Sequence, residues 1–302
     1  MFEITILGSS AALPTTLRNS TAQVLNIHER FFLIDCAEGT QMQLRKYKAK
    51  LSRLDHIFIS HLHGDHFFGL PGLISTLNLI GRKNTIHIYS PPGLQEIMHS
   101  LLFHFKDITF KIVFHVLEAP TPQIIFENKT ITVTAFPLNH RLPCMGFLFK
   151  EKEKPKNINK NFIEYHRPGV KQIVDIKFGA DFTTPEGEII PNSHITTSPT
   201  PPRSYAFCSD TSFVKENIKI VEGVDLLYHE ATFLNDNLKT AYKTGHSTAE
   251  QAATFAKYAN VKKLIIGHFS ARYTNTQDFE DAAKKIFPQT TAVRDGDKFV
   301  IE

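Results

Sequence analysis

The chain has 302 residues, 42% of them hydrophobic, and a formal net charge of +4. This length and composition allow a sizeable buried core, which excludes extended disorder. The three cysteines are odd in number and widely spaced, so they argue against a disulfide framework or a thiolate zinc site and favour a reducing compartment. No signal-like segment opens the chain, and no apolar run reaches the roughly 18 residues that cross a bilayer. We therefore expect a cytoplasmic protein with no membrane association.

Alternating strands and helices run along the chain, with hairpins at the start. Apolar runs predict strands at residues 2–7, 22–27, 30–35, 54–60, 85–90, 108–118, 123–126, 130–136, 203–210, 224–233 and 262–268. Helical spacing predicts helices at residues 94–105, 248–258 and 279–287. This order predicts an α/β fold in which two β-rich halves carry helices outside, a four-layered α/β/β/α sandwich. We expect one domain over residues 1–302.

A basic segment interrupts this pattern at about residues 150–178. Residues 150–177 contain seven lysines and one arginine against three glutamates and one aspartate, which is a net +4, so the rest of the chain is balanced. The segment could be a solvated insertion with no further role. It could also be a flexible arm that reaches for phosphates, because lysines that neutralise phosphates release condensed counterions.

Three histidines and an aspartate fall within six positions, in the stretch HLHGDH. They are His61, His63, Asp65 and His66, directly after a predicted buried strand. Loops at the carboxyl ends of strands are where α/β proteins commonly place their sites. Imidazole and carboxylate groups suit zinc and similar divalent ions. This density of ligands predicts a metal site.

Three further apolar runs close on a residue of ligand type, namely His140, Asp210 and His268. Each could be structural when taken alone. Four ligands in one loop are too many for one tetrahedral ion and too few for two, and these three residues would complete the set. Two ions about 3.5–4 Å apart can clamp both oxygens of an in-line displacement at phosphorus.

Two more residues are candidates for acid–base chemistry. The stretch STAE at residues 247–250 reads as a capping box, so a helix is predicted to begin there with His246 just before it. Amides at a helix start favour a phosphate. Glu230 closes another buried strand. The alternatives are that His246 only packs beside the helix start and that Glu230 only pairs with a basic side chain.

Beyond the metal signature, several segments resemble one family of the metallo-β-lactamase superfamily. HLHGDH matches the superfamily signature His-x-His-x-Asp-His. The ribonuclease Z family has motifs similar to DCAEGTQMQL at residues 35–44, SDT at 209–211, HEATF at 229–233, GHST at 245–248 and GHFSARY at 267–273. Ala37 stands where that family usually has glycine. The resemblance covers essentially the whole chain.

The resemblance implies two zinc ions per chain, with manganese as an alternative. The first ion would take His61, His63, His140 and Asp210, and the second would take Asp65, His66, His268 and the same Asp210. A hydroxide between the ions would attack phosphorus, because paired cations depress the pKa of bound water. Asp65 would orient or deprotonate it, His246 would protonate the leaving 3′ oxygen, and Glu230 would hold His246.

The substrate implied by the resemblance is precursor tRNA, cut after the discriminator nucleotide to leave a tRNA 3′-hydroxyl and a 5′-phosphate on the trailer. A homodimer is also implied, and the basic arm occupies the place of the family's tRNA-gripping arm. The implied substrate contacts are Arg18, Asn19, Thr248, Ser270, Arg272 and Tyr273. A surface salt bridge would explain Arg272 equally well. Thr16 replaces a lysine of the family pattern, so the response to a trailing CCA could differ.

Two other functions fit parts of the sequence. A small-molecule phosphodiesterase or thioester hydrolase would share the metal signature, but its arm would be dispensable. A metal-containing RNA-binding protein without turnover would lack a ligand or the acid, whereas all seven ligand positions and His246 are present.

Overall fold

The computed structural model describes residues 1–102, 108–118 and 120–302. The chain divides into two compact units. The first comprises Met1–Glu127, Thr132–Phe149 and Arg203–Glu302, and the second comprises Asn128–Ile131 and Lys150–Pro202. The second unit therefore extends well past residue 178, where the basic arm was expected to end. The organisation as one domain stays a prediction.

Two seven-stranded sheets dominate the first unit, with strands numbered in chain order. The first sheet has the spatial order β20 (Lys298–Val300), β1 (Phe2–Gly8), β3 (Ala22–Ile27), β4 (Arg30–Ile34), β5 (Leu54–Phe58), β6 (Ile86–Ser90) and β7 (Ile112–Val116). The second has the order β19 (Thr290–Ala292), β17 (Lys263–Gly267), β16 (Leu226–Glu230), β15 (Ser204–Cys208), β10 (Cys144–Glu151), β9 (Ile131–Leu138) and β8 (Gln123–Glu127). Strands β4 to β7 run parallel, and so do β15, β16, β17 and β19. The carboxyl ends of β5, β15 and β17 carry ligand-type residues, and a further one, His140, follows β9.

Three two-stranded ladders and ten α-helices complete the secondary structure of the described residues. The ladders pair β2 (Ser10–Ala11) with β18 (Phe269–Ser270), β11 (Asn157–Ile158) with β14 (Thr196–Thr197), and β12 (Phe182–Thr183) with β13 (Ile189–Ile190). The helices are α1 (Thr40–Lys46), α2 (Gly64–Phe67), α3 (Leu70–Leu79), α4 (Leu94–Leu102), α5 (Lys160–His166), α6 (Val170–Lys177), α7 (Asn192–Ile195), α8 (Leu238–Thr244), α9 (Ala249–Tyr258) and α10 (Gln277–Lys284). Short 3-10 turns lie at Leu51–Arg53, Lys215–Lys219 and Asn235–Asn237. The predicted helix at 94–105 runs into residues 103–107, which lie outside the described residues.

The sheets of the first unit pack face to face through aromatic side chains. The Phe58 ring of β5 lies 5.5 Å from the Phe147 ring and 5.4 Å from the Phe149 ring of β10. Leu73 of α3 belongs to a buried cluster on the outer face of the first sheet. The Phe255 ring of α9 lies 5.1 Å from the His229 ring of β16. The predicted four-layered α/β/β/α sandwich is confirmed.

The start of α9 differs by one residue from the capping box expected at 247–250. Thr248 is the N-cap, its hydroxyl accepts from the Gln251 amide, and the Gln251 side chain accepts from the Thr248 amide. Ser247 instead donates its hydroxyl to the Thr211 carbonyl at 2.7 Å. The expected box, Ser247 with Glu250, was wrong. Thr248 is also a good cap, and Gln251 lies three residues after it and can make the reciprocal bond as glutamate would.

The second unit has its own small core. Phe162, Ile176, Phe182 and Ile195 are buried together. The side-chain amide of the buried Asn192 donates to the carbonyls of Ile176 and Ala180 at 2.7 and 2.8 Å, which ties the end of α6 to α7. The basic segment thus forms α5, α6 and the strand β11, and most of its lysines are exposed.

Within the part of the chain that is described, no helix combines the length and the apolarity that crossing a bilayer requires.

Candidate active site

The ligand-type residues converge because they follow neighbouring strands of the two sheets. His61 and His63 lie in the loop after β5, and the next residues begin α2, which carries Asp65 and His66. In the second sheet, Asp210 follows β15 and His268 lies between β17 and β18. Parallel strands bring their carboxyl ends to one edge, so residues distant in sequence meet there.

The first cluster contains His61, His63, His140 and Asp210, whose candidate ligand atoms all lie within 4.8 Å of one another. Nε2 of His61 lies 2.9 Å from Nδ1 of His63 and 3.5 Å from Oδ2 of Asp210. Nε2 of His140 lies 3.9 Å from the same carboxylate oxygen. Three imidazoles and one carboxylate therefore face a common point.

The second cluster contains Asp65, His66 and His268 and meets the other oxygen of Asp210. Oδ1 of Asp210 lies 3.1 Å from Nε2 of His268 and 3.5 Å from Nε2 of His66. Oδ2 of Asp65 lies 3.5 and 3.6 Å from the same two nitrogens. Asp210 thus presents one carboxylate oxygen to each cluster, which suits a ligand shared by both.

Unpaired buried atoms test whether these clusters fit a metal. Nε2 of His66, Nε2 of His268 and Oδ1 of Asp210 are buried and have no hydrogen-bond partner. Buried polar atoms are nearly always paired, so three orphans facing one another require an explanation. A divalent cation supplies one, because neutral imidazole nitrogens and carboxylate oxygens are the donors that zinc takes. The residues present fit the implied metal pair.

In three of these histidines, the nitrogen on the opposite edge of the ring has a second partner. Nδ1 of His66 pairs with Oδ2 of Asp35 at 2.8 Å, Nδ1 of His140 with the Gly245 carbonyl at 2.9 Å, and Nδ1 of His268 with the Thr232 hydroxyl at 3.0 Å. Such partners fix the tautomer and orientation of metal-binding imidazoles. Gly245 has φ +74°, a left-handed conformation that ends α8 and that glycine adopts without strain.

Sequence reasoning missed Asp35 and Thr232 as contributors to the site. The fully buried Asp35 also accepts from the amide and the hydroxyl of Ser60 at 2.7 and 2.9 Å. The signal for it was present, since Asp35 ends a buried strand and opens the DCAEGTQ segment. Thr232 carries no such signal, because threonine is an ordinary strand residue.

Electrostatics within the clusters follow from burial and the carboxylates. Burial lowers the pKa of His61 well below its ordinary value. Burial also acts to lower the pKa of His66, but Asp210, Asp35 and Asp65 outweigh it and raise that pKa. Burial acts to raise the pKa of Asp210, and the surrounding histidines outweigh it, so that pKa is lowered. The site therefore favours ionised carboxylates.

Beside the clusters, the buried Glu230 pairs with the partly exposed His246. Oε1 of Glu230 accepts from Nδ1 of His246 at 3.0 Å and from the amides of Ser247 and Thr211 at 2.9 and 3.1 Å. Its Oε2 accepts from the amide and hydroxyl of Thr232, each at 2.8 Å. Burial acts to lower the pKa of His246, but the Glu230 carboxylate raises it to about 9. The predicted pairing of these residues is present in the structure.

The residues expected to contact substrate have mixed environments. Arg272 is exposed, with its guanidinium 5.0 Å from the Phe233 ring centre. Nε of Arg272 donates to the Ser270 hydroxyl at 3.2 Å, and the Tyr273 hydroxyl accepts from the Asn237 side-chain amide at 2.9 Å. Thr248 is fully buried and caps α9, so its hydroxyl is engaged.

Arg18 and Asn19 are held by protein groups. The Arg18 guanidinium is buried and donates to the carbonyls of Tyr273 at 2.7 Å and Ser270 at 3.4 Å. Asn19 donates its amide and its side-chain amide to Oδ2 of Asp295 at 2.7 and 2.9 Å. In this geometry both residues fix loops at the edge of the site.

Comparisons with known proteins agree with this fold and site. A metallo-β-lactamase fold protein from Bacillus subtilis superposes with a TM-score of 0.71 at 16% identity, over 99% of this chain and 98% of that one. The short form of human tRNase Z superposes with a TM-score of 0.72 at 29% identity, over 99% of both chains. The fold and the paired ligand clusters define a metal-dependent hydrolase of the metallo-β-lactamase fold.

Curated relatives narrow the assignment. The chain is 50% identical to a ribonuclease Z of Bacteroides thetaiotaomicron over 97% of this chain and 93% of that protein. It is 48% identical to a ribonuclease Z of Bacteroides fragilis over 97% of both. A family model described as Anti-Pycsar protein Apyc1 matches residues 2–154. The chain belongs to the ribonuclease Z family over its full length, and over residues 2–154 it also falls within the family of that model.

Proposed function

We propose that this chain is an endoribonuclease that removes the 3′ trailer of precursor tRNA. Cleavage would follow the discriminator nucleotide and leave a 3′-hydroxyl on the tRNA and a 5′-phosphate on the trailer. The observation that carries the proposal is the placement of seven ligand residues and the Glu230–His246 pair at one edge of the sandwich. Full-length similarity to proteins named ribonuclease Z supports the choice of substrate.

The proposed cofactor is two zinc ions per chain, and the same donors would accept manganese. His61, His63, His140 and Asp210 would hold one ion, and Asp65, His66, His268 and Asp210 the other. Bound divalent ions would polarise the scissile phosphodiester and lower the pKa of water.

Asp65 is proposed to hold or accept the proton of the attacking water. Its Oδ2 faces the second cluster and also accepts from the Ala12 amide at 2.8 Å, which fixes the direction of the carboxylate. A base must lie within hydrogen-bond reach of the proton that it takes, and a carboxylate held in one orientation is in that position in every catalytic cycle.

His246 is proposed to protonate the leaving ribose 3′ oxygen. Glu230 accepts the proton on Nδ1, so the proton on Nε2 is the one that can be donated. The histidine side chain is 15% exposed, whereas Glu230 is fully buried, so substrate reaches the histidine and not the glutamate. Glu230 fixes the orientation of His246 and favours its protonated form.

The second unit is proposed to contact the phosphates of the tRNA body. Lys160, Arg167 and Lys171 are exposed on or beside its two longer helices. Structured RNA is recognised mostly through shape and backbone, which suits a cationic surface with no base-reading groups. We further propose a cytoplasmic homodimer, which rests on the family resemblance. Light scattering of the purified chain would test the dimer.

The test compares cleavage of a precursor tRNA with cleavage of a small aryl phosphodiester. Asp65→Ala should abolish both reactions. Neutralising Lys160, Arg167 and Lys171 to glutamine should raise KM for the tRNA about tenfold and leave the aryl ester unchanged. The matched control replaces three exposed lysines of the first unit, Lys215, Lys219 and Lys257.

If the wild-type protein cleaves only the aryl ester, and neutralising the second unit changes nothing, the tRNA assignment is wrong. The chain would then be a small-molecule phosphodiesterase. Mapping the product ends decides the cleavage position, since a 3′-phosphate on the tRNA would contradict attack at the proposed bond.

A further inference from the structure

A loop near the N-terminus contacts Asp65, the candidate base, and is held by Asp295 near the C-terminal end of the sequence. The loop runs from Ser9 to Asn19, and the Ala12 amide within it donates to Oδ2 of Asp65 at 2.8 Å. The Ala12 amide thus gives the Asp65 carboxylate a main-chain hydrogen-bond donor. A misdirected amide would leave the carboxylate free to rotate away from the ligand clusters.

The loop holds Ala12 in an unfavourable conformation. Ala12 has φ 55°, in the left-handed region where a Cβ crowds the following carbonyl. Such residues persist only where the surrounding structure over-determines them, and they occur preferentially at functional sites. The contacts that hold the loop closed are therefore part of how the amide is aimed.

Asp295 closes the base of the loop with both carboxylate oxygens. Its Oδ1 accepts from the Ser9 hydroxyl at 2.7 Å. Its Oδ2 accepts from the amide and the side-chain amide of Asn19 at 2.7 and 2.9 Å. The amides of Ser9 and Ser10 also donate to the Asn19 carbonyl at 3.0 and 2.9 Å. One carboxylate thus joins the two ends of the loop.

Asp295 itself sits in a rigid turn between β19 and β20. The Arg294 amide donates to the Asp297 side chain at 2.8 Å, and the Gly296 amide donates to the Ile6 carbonyl at 2.8 Å. The Ile6 amide donates to the Asp297 carbonyl at 3.0 Å. The carboxylate is therefore fixed to the end of β1, from which the loop departs.

We infer that Asp295 is a positioning residue for the reaction: it clamps the Ser9–Asn19 loop so that the Ala12 amide aims the Asp65 carboxylate at the metal site. The inference rests on the proposed function, because it takes Asp65 as base and ligand. Asp295 acts through the loop and makes no contact with the reacting atoms. Its expected signature is a loss of turnover and a looser second metal, with substrate binding retained.

The first experiment compares Asp295→Asn with Asp297→Asn in the zinc-loaded enzyme. Asparagine keeps the shape of residue 295 but replaces one acceptor oxygen by a donor. We expect kcat to fall about ten- to hundredfold for precursor tRNA and for the aryl phosphodiester, with KM for the tRNA changed less than about twofold. The control residue lies two positions away in the same turn, and its side chain accepts from the Arg294 amide at 2.8 Å, a bond that an asparagine oxygen can still accept.

A second readout follows the metal rather than turnover. Zinc release to a chelator should be about tenfold faster for Asp295→Asn than for wild type or Asp297→Asn, because partners that orient ligands contribute this much to metal affinity. The melting temperature of each variant is measured, and all assays are run well below it. A residue that only stabilises the fold would lower the melting temperature and leave kcat and zinc release unchanged.

A double-mutant cycle with Ser9→Ala tests the path. Ser9 contacts Oδ1 of Asp295, so the double variant should be no slower than Asp295→Asn alone. Additive losses, or an Asp295→Asn enzyme with wild-type kcat and zinc release, would overturn the inference. The aryl ester keeps the two hypotheses separate: if precursor tRNA is not cleaved, the proposed function fails, while the cycle on the small ester still decides the role of Asp295.

Discussion

Two groups of histidines in the first unit have opposite environments. At the carboxyl ends of the strands, the imidazoles of His61, His66 and His268 face carboxylates across distances of 3.1–3.6 Å. On the three strands at one side of the first sheet, β5, β6 and the edge strand β7, His56, His87 and His115 stack ring on ring, with centroids 5.1 and 5.3 Å apart. The residue type is the same, so the neighbours determine the chemistry.

The stacked group lacks both features that mark a metal site. Nδ1 of His87 pairs with Nε2 of His115 at 3.0 Å, so these nitrogens satisfy each other. Among the described residues, the groups of three or more potential ligands within 4.8 Å all lie at the strand ends. In this chain, facing carboxylates and the unpaired buried nitrogens of His66 and His268 distinguish the ligand clusters from the stacked group.

Among the predictions that test this comparison, removal of the Asp210 carboxylate, which both clusters share, should have the largest effect. Asp210→Asn takes away the negative charge that faces both clusters, so we expect loss of bound zinc and a fall in kcat/KM of at least about a thousandfold, roughly 4 kcal/mol. Metal analysis and aryl phosphodiester cleavage measure both. Asp278→Asn on the exposed face of α10 is the control. An Asp210→Asn enzyme with two zinc ions and normal activity would contradict the ligand assignment.

The next test separates acid chemistry from metal binding inside the active cluster. His246→Gln keeps a hydrogen-bonding side chain next to Glu230 but has no proton of suitable acidity to donate. We expect kcat to fall about 10²- to 10⁴-fold while the zinc content stays at the wild-type value. His99→Gln, at an exposed position of α4, should behave as wild type. Loss of zinc in the His246 variant would make it a ligand rather than an acid.

The sequence predicted the ligand clusters well because their logic is local. HLHGDH concentrates four ligand-type residues in one loop, and His140, Asp210 and His268 each close an apolar run, so their positions at strand ends made them candidates. The partners that orient these ligands were not predictable in the same way. Threonine is common in and after strands, and every residue has a carbonyl. Only the folded backbone brings the Thr232 hydroxyl and the Gly245 carbonyl to the imidazoles.

The fold was predicted at the level of layers, whereas the loop anchors were not. Apolar periodicity identified most strands of both sheets but missed β10 and β19 of the second sheet. The contact between Asn19 and Asp295 joins residues 276 positions apart. No periodic signal encodes such a pair. The same limit applies to the bond that the Arg18 guanidinium donates to the Tyr273 carbonyl; the expected contact of Arg18 with substrate stays a prediction.

Zinc-linked stability provides a third comparison of the two histidine groups. Zinc at about a hundred times its dissociation constant should raise the free energy of unfolding by about 2.7 kcal/mol, because it binds only the folded protein. His87→Phe should retain the full increase, since its ring stacks between neighbours and holds no metal. Urea unfolding with and without zinc measures this. An increase lost in His87→Phe but retained in Asp210→Asn would reverse the assignment of the two groups.

The smallest expected effect concerns the pH dependence of stability. Burial, together with the neighbouring His87, lowers the pKa of His56 to about 4, although Asp55 acts in the opposite direction. An unfolded histidine titrates near 6.5, so between about pH 6.5 and 4 the unfolded chain binds the proton that the folded chain refuses. This group therefore supports the fold fully above pH 6.5, and that support declines as the pH falls towards 4.

The contribution of His56 should be about 1 kcal/mol after allowance for its partial exposure. His56→Phe keeps a ring against Phe32, whose centroid lies 5.6 Å away, but cannot titrate. Urea unfolding at pH 7 and pH 5 should show a smaller loss of stability in this variant than in wild type. His194→Gln, at an exposed position, should leave the loss unchanged. Equal losses in His56→Phe and wild type would mean that the stacked histidines do not resist protonation, and the contrast with the active cluster would then rest on geometry alone.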